Sequence, residues 1–362
     1  MRICVLGGSG DMALAALKLL NEEKDVAEFV IADINEKKAQ EISETFAPKA
    51  KPLKVNALDH ASLVASLKGF NAAMGFIGPF YMFEEKIAAA CIEARVPYIS
   101  ICDDYDAYLN VIRLHDKAKA SGVTVITGLG NSPGITNLLA KKGYLSMEKP
   151  EKIHVQWAGG SDEDIGPANI KHVMHIFSGT TLQWLNGQSV RVRTGTARKT
   201  VEFLPPIGKL PVYYTGHAES VSIPMNLKGL HEVTLHGGIH PPYIARLAIL
   251  FGNLRLTTTP TRRDIMTKIM LRLTGLFAKG GVDKSVFRVD VYGEHQGEKR
   301  HHYYTGEGHI AEITSMPAVE GTLMAARGEI TEPGVFAPEA IFNADDFLSR
   351  LKRRGLHIEF HE

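Results

Sequence analysis

The chain has 362 residues, 44% of them apolar and 22% charged, a balance that fits a folded protein long enough for two domains. Lys and Arg number 41 against 40 Asp and Glu, so no basic field exists and nucleic acid is excluded as the expected partner. No apolar run is long enough for a membrane span, no signal-peptide pattern opens the chain, and Cys4, Cys91 and Cys102 make no CxxC pair; together these predict a reduced, cytoplasmic protein without a membrane partner.

In chain order, the first predicted element is a buried strand, Ile3–Leu6, which runs into a glycine turn and then a helix. Free N–H groups at such a helix start suit a phosphate without a dedicated cation. Gly7, Gly8, Ser9, Gly10, Asp11 and Met12 are therefore the candidate pyrophosphate contacts. The spacing Gly8-x-Gly10-x-x-Ala13 is a variant of the dinucleotide fingerprint. A second strand, Glu28–Asp33, ends in a carboxylate at the separation expected of the residue that holds the ribose 2′-hydroxyl. That charge repels a 2′-phosphate, so NAD is preferred. Asn35 and Lys37 stand beside it and keep NADP admissible. Asp33 suits equally well the N-cap of a helix over 36–46.

Further strands are predicted at Pro52–Val55, Ala72–Ile77, Tyr98–Ile101 and Val123–Thr127, with helices at His60–Leu67, Glu84–Ala94 and Tyr105–Ala120. This alternation predicts an α/β fold, a Rossmann-type doubly wound parallel sheet. Loops after the carboxyl ends of such strands cover the nicotinamide half of the cofactor, which selects Gly78, Pro79 and Tyr81. Asp104 follows the fifth strand, as a site residue or as a helix cap.

Four stretches, Val5–Ala13 (VLGGSGDMA), Gly78–Asp103, Gly128–Leu139 (GLGNSPGITNLL) and Gly334–Glu339 (GVFAPE), resemble the saccharopine dehydrogenase family, whose relatives include lysine 6-dehydrogenase and carboxynorspermidine synthase. His217-Ala218-Glu219 followed by Ser222-Ile223-Pro224 is similar to that family's central domain. The resemblance implies an NAD(P)-dependent oxidoreductase of amino acids or opine-like secondary amines. It also implies a nucleotide-binding domain over 1–128, an inserted substrate-binding and dimerising domain over 129–316, and C-terminal helices over 317–362 that return to the first domain. Carried over, Gly7, Gly8, Gly10 and Asp33 hold the cofactor, Gly78 and Pro79 lie near its nicotinamide, and Asp104 and Asn131–Gly134 face the substrate. One departure is Ser100, which stands where relatives commonly carry an acid after the tyrosine.

After Pro150 the style changes. Lys152–Ala158, Ser189–Val192, Lys199–Phe203, Val212–Thr215, Ser220–Ile223 and Glu232–Leu235 read as short strands separated by turns. They predict an α+β domain on a mixed or antiparallel sheet, and a homodimer formed through it. The acids of Ser161–Asp164 and the pair His172 and His175 lack the companions of a metal site. His217, His236 and His240 are candidate proton carriers, and Arg246 and Arg255 candidate carboxylate clamps. Asp264–Lys279 reads as a helix with the stripe Ile265, Ile269, Leu273 and Leu276. Val286–Tyr292 and Lys299–Thr305 read as a hairpin, a helix is expected from Met316-Pro317 to about Arg327, two short helical pieces at Pro338–Asn343 and Asp345–Arg354, and an edge strand at Leu356–Phe360. The combined expectation is hydride transfer between the nicotinamide and the C–N bond of an amino acid, imine or secondary amine. Asp104, His240 and Tyr81, in that order, are the expected catalytic groups. A reductase of carbonyl or hydroxyl compounds, or an inactive NAD(H)-binding protein, are the alternatives.

Overall fold

Ile3, Cys4, Val5 and Leu6 are all buried, which is what a strand covered on both faces requires. They belong to β1 (Arg2–Leu6), the central strand of a parallel sheet in the computed structural model, which describes residues 1–163, 173–257, 259–277 and 281–362. Around it lie β2 (Glu28–Asp33), β3 (Ala50–Lys54), β4 (Ala72–Gly75), β5 (Tyr98–Ser100) and β6 (Thr124–Ile126). A seventh strand, Gly334–Phe336, pairs with β6, so the spatial order runs Gly334–Phe336, β6, β5, β4, β1, β2, β3. All six pairings are parallel. Strand order reverses between β1 and β4, the place where open α/β sheets bind ligands.

Two apolar layers hold this sheet. Ala13, Ala16, Leu17 and Leu20 of helix Asp11–Glu22 join Ile3, Val5, Phe29 and Ile31 on one face. Ile87, Ala88 and Cys91 of helix Phe80–Ala94 join Cys4, Leu6 and Ala73 on the other. The chain divides into two compact units: Met1–Ile135 with Ala311–Ile341, and Thr136–Ile310 with Phe342–Glu362.

The second unit holds β7 (Lys149–Gly160), β8 (Thr180–Leu185), β9 (Gln188–Arg193), β10 (Lys199–Glu202), β11 (Lys209–Tyr214), β12 (Glu232–His240), β13 (Ser285–His295) and β14 (Glu298–Gly308). Counting β15 as Gly334–Phe336 of the first unit, the last strand is β16 (His357–His361). Among the described residues these form a nine-stranded mixed sheet, in which only β12 and β7 pair in parallel. The hairpin of β13 and β14 closes on Gln296 and Gly297, both with positive φ, a turn whose twist matches its strands.

Several elements differ from the sequence reading. Ser220–Ile223 is not a strand: it lies in helix Glu219–Asn226, whose backbone bonds close locally, Ser222 N–H on the Ala218 carbonyl at 2.8 Å and Leu227 N–H on the Ile223 carbonyl at 2.7 Å. The last long helix starts at Ile310 rather than Met316, and runs to Ala326 with Pro317 inside it. Its first N–H is accepted by Glu163 Oε1 at 2.9 Å, a long-range cap invisible in local sequence. Tyr105–Ala120 is broken into two helices by a 3₁₀ turn at Ile112–Leu114. The division between units falls at Ile135/Thr136 and Ile310/Ala311. Residues 342–362 join the second unit, because β16 completes the free edge of β14. In helix Pro260–Phe277, Ile265 and Ile269 are exposed and Met270 is buried. Asp164, His172, Lys279 and the side chains of Leu273 and Leu276 lie outside the described residues.

The β14–β16 pairing leaves no room at Gly306, where a Cβ would meet Phe287 Cζ at 2.1 Å and the His357 carbonyl at 2.7 Å. Gly306→Ala is expected to lower stability by about 2 kcal/mol in urea unfolding. A variant as stable as the wild type would contradict the placement of β16.

Candidate nucleotide-binding and reaction site

The glycine turn is built by close approach. Gly7 has φ +76°, and a Cβ there would sit 2.9 Å from Ile77 Cγ1, Ile77 N and the Phe76 carbonyl carbon. Only glycine lets the end of β1 lie so near the chain leaving β4. Gly7 and Gly8 donate their N–H groups to the Ala32 carbonyl at 2.8 and 3.4 Å, and Gly10 donates to the Gly7 carbonyl at 3.1 Å. Gly10 is the N-cap of helix Asp11–Glu22 and supplies no side chain, so the helix start is left open to a ligand. Asp11 is exposed and Met12 half-buried, and the Met12 carbonyl accepts the Ser315 hydroxyl at 2.6 Å.

Asp33 lies beside this turn. Its Oδ2 accepts the Ser9 N–H at 3.2 Å and its Oδ1 accepts the Asn35 N–H at 2.9 Å. The cap of helix Glu36–Thr45 is Asn35, which accepts the Lys38 N–H at 3.1 Å, so Asp33 is not the N-cap that its position also allowed. The Ser9 hydroxyl is buried and has no partner among the described residues, a group that a bound phosphate oxygen would satisfy. The open helix start, the orphaned hydroxyl and the carboxylate together fit a dinucleotide.

On the other side of the switch point, Gly78 has open space where a Cβ would stand, and Pro79 is the N-cap of helix Phe80–Ala94. Asp104 stands at the N-cap of helix Tyr105–Val111 yet makes no cap bond there. Its Oδ2 accepts the Tyr81 N–H instead, at 3.1 Å, and the residue is 1% exposed. Two of the three expected catalytic residues therefore meet through a backbone bond.

His240 ends β12 in the second unit, with its Nδ1 buried and unpartnered among the described residues. His217 stacks on Trp157 with ring centroids 5.2 Å apart. Burial pushes His236 down to about 2, so it stays neutral and cannot take up the proton released on oxidation. Arg246 and Arg255 are exposed.

The sequence reading missed Glu84. This residue falls on the apolar stripe of Ile87, Ala88 and Cys91, and it is fully buried. Its carboxyl accepts the hydroxyls of Tyr98 at 3.0 Å, Thr127 at 3.3 Å and Ser100. Burial pushes Glu84 up to about 7, those three hydroxyls oppose the rise, and the Asp104 charge adds to it. Its signal was a carboxylate at a core position of an apolar helix face.

Two family models cover the chain: the saccharopine dehydrogenase NADP-binding domain over residues 3–126, and the saccharopine dehydrogenase C-terminal domain over 130–356. The chain belongs to the saccharopine dehydrogenase family. It is thus an NAD(P)-dependent oxidoreductase with a Rossmann-type nucleotide-binding sheet and a second, mixed-sheet domain. Carboxynorspermidine synthase of Vibrio cholerae is 24% identical over 98% of this chain and 96% of its own length. Carboxyaminopropylagmatine dehydrogenase of Synechocystis is 22% identical with the same coverage. Apo saccharopine dehydrogenase (L-Glu forming) of Saccharomyces cerevisiae shares the fold, with a TM-score of 0.72 at 17% identity over the whole of both chains. No helix among the described residues is long and apolar enough to cross a membrane.

Glu84 gives stability a defined pH dependence. Its carboxyl is neutral in both states below about 4.5 and ionised in both above about 7. Between those values only the unfolded chain releases the proton, so stability falls as pH rises through the window. The rise from 4.5 to about 7 corresponds to about 3 kcal/mol. Glu84→Gln is expected to remove that loss, measured as the difference between wild-type and variant unfolding free energies at pH 4.5 and 7.5. A difference that does not change with pH would contradict the buried charge.

Proposed function

We propose that this enzyme transfers hydride between a nicotinamide and the C–N bond of a carboxyl-bearing alkylamine. The observation that carries the reading is the match, along 98% of the chain, to two relatives whose names each denote such an amine. The first unit supplies the cofactor site: Gly7, Gly8, Ser9, Gly10, Asp11 and Met12 for the pyrophosphate, Asp33 and Asn35 for the adenosine ribose, Gly78 and Pro79 for the nicotinamide end. When bound, the nicotinamide accepts or gives the hydride.

Oxidation of an amine removes hydride from carbon and a proton from nitrogen, so the protein must hold that proton. Asp104 is our first carrier, because it is buried and already tethered to the backbone at Tyr81. His240 and Tyr81 are the second and third. NAD is the preferred cofactor in this reading, since the Asp33 carboxylate lies at the helix start and repels a 2′-phosphate. The protein acts in the cytoplasm as a homodimer joined through the second unit; light scattering is expected to give twice the 39.7 kDa of one chain, and a 39.7 kDa particle would contradict the dimer.

The direct test follows absorbance of the reduced nicotinamide while carboxynorspermidine is offered with NAD⁺ or NADP⁺. Turnover is expected, and Asp104→Asn is expected to lower kcat by about 100-fold. Oxidation of simple alcohols but not of the amine would favour the carbonyl-reductase alternative. Asp33→Asn keeps an acceptor for the Asn35 N–H and removes the charge, so it is expected to improve NADPH binding relative to NADH by about tenfold. An unchanged ratio of the two Kd values, by calorimetry, would overturn the role of Asp33.

A further inference from the structure

Three segments leave the ends of neighbouring strands in the first unit: the Gly78–Tyr81 loop after β4, Cys102–Asp104 after β5, and the Gly128–Gly134 turn after β6. Glu84 touches a support of each. Tyr98 starts β5, and its hydroxyl occupies the space a Cβ on Gly75 would take, 2.0 Å away, at the end of β4. Ser100 ends β5. Its Oγ accepts the Cys102 N–H at 3.4 Å and its carbonyl accepts the Leu129 N–H at 2.8 Å. Thr127 directly precedes the glycine turn and takes its own N–H to the Phe336 carbonyl at 3.0 Å. Glu84 itself stands three residues beyond Tyr81 on the same helix, whose first turn is held by Asp104.

We propose that Glu84 is a positioning residue for the nicotinamide side of the site, its carboxyl gathering the Tyr98, Ser100 and Thr127 hydroxyls and so setting the strand ends from which the Asp104 segment and the Gly128 turn depart. This rests on the first unit holding a nicotinamide cofactor, as proposed above.

A carboxylate accepts three hydroxyl hydrogens at once, whereas the protonated acid must donate one of its own. Protonation therefore reverses one of the three bonds, so that one hydroxyl must turn its hydrogen aside and accept, and it replaces charge-assisted bonds with weaker neutral ones, which loosens the segments they support. The titratable groups facing Glu84 are Cys91 from its own helix, Tyr98 from β5, and Cys102 and Asp104 beyond β5. Burial pushes both thiols and the phenol well above their ordinary values, so these three stay neutral near pH 7. Glu84, pushed up to about 7, changes charge there.

The test titrates NADH and NADPH, by fluorescence of the reduced nicotinamide, into the full chain from pH 6 to pH 8. Wild-type Kd is expected to weaken about fivefold toward pH 6, the equivalent of one hydrogen bond, with its inflection near 7. Glu84→Gln is expected to flatten that profile. Thr127→Val removes one donor from the carboxylate and is expected to move the inflection to higher pH, which keeps the test open should the Gln variant fail to fold. A wild-type inflection retained in both variants would overturn the role of Glu84 alone. Absence of binding by the wild type with either nucleotide would overturn the cofactor reading instead.

Discussion

The contact between the Gly7 turn and the chain leaving β4 is the constraint on which the first unit depends. A side chain at Gly7 would meet the Phe76–Ile77 backbone at 2.9 Å, so the turn after β1 and the loop after β4 are fitted against each other. These are the two strands between which the sheet reverses its order. The same turn is tied on its other side to Asp33 through the Ser9 N–H. One tight turn thereby places an open helix start, a carboxylate and the Gly78 loop around a single position. Dinucleotide chemistry needs those three elements together: donors for phosphate, an acceptor for ribose, and a loop at the nicotinamide end.

A layer of buried side chains makes the corresponding contacts at the ends of β5 and β6. Asp104 gives up the cap of its own helix and holds the start of another at Tyr81. Glu84, one turn further along, collects hydroxyls from β5 and from the residue that follows β6. Burial raises the cost of ionising Glu84, and the neighbouring Asp104 charge adds a smaller share to it.

Much of the first unit was legible in the sequence. The apolar runs Ile3–Leu6 and Glu28–Asp33 have the length and burial of inner parallel strands, and local pattern is enough to find them. The glycine spacing and Asp33 were equally plain, because both act close to the backbone. Features set by distant residues were not legible. The cap on Ile310 comes from Glu163, the seventh strand of the first sheet from Gly334–Phe336, and the partner of β16 from β14. Each depends on a segment far away in the chain. Ser220–Ile223 misleads because a short run with Val and Ile has the composition of a strand, and a fully buried strand and a fully buried helix look alike at that length; its backbone bonds close locally. Glu84 was overlooked since a carboxylate on an apolar helix face gains meaning only when three hydroxyls from other elements are seen to converge on it.

The most direct measurement is a crystal structure of the chain grown with NADH or NADPH. The expected result has the pyrophosphate against the N–H groups of the Gly8–Met12 turn, the adenosine ribose on the Asp33 carboxylate, and the nicotinamide beside Gly78 and Pro79. A nucleotide bound elsewhere, with Asp33 remote from its ribose, would contradict the account.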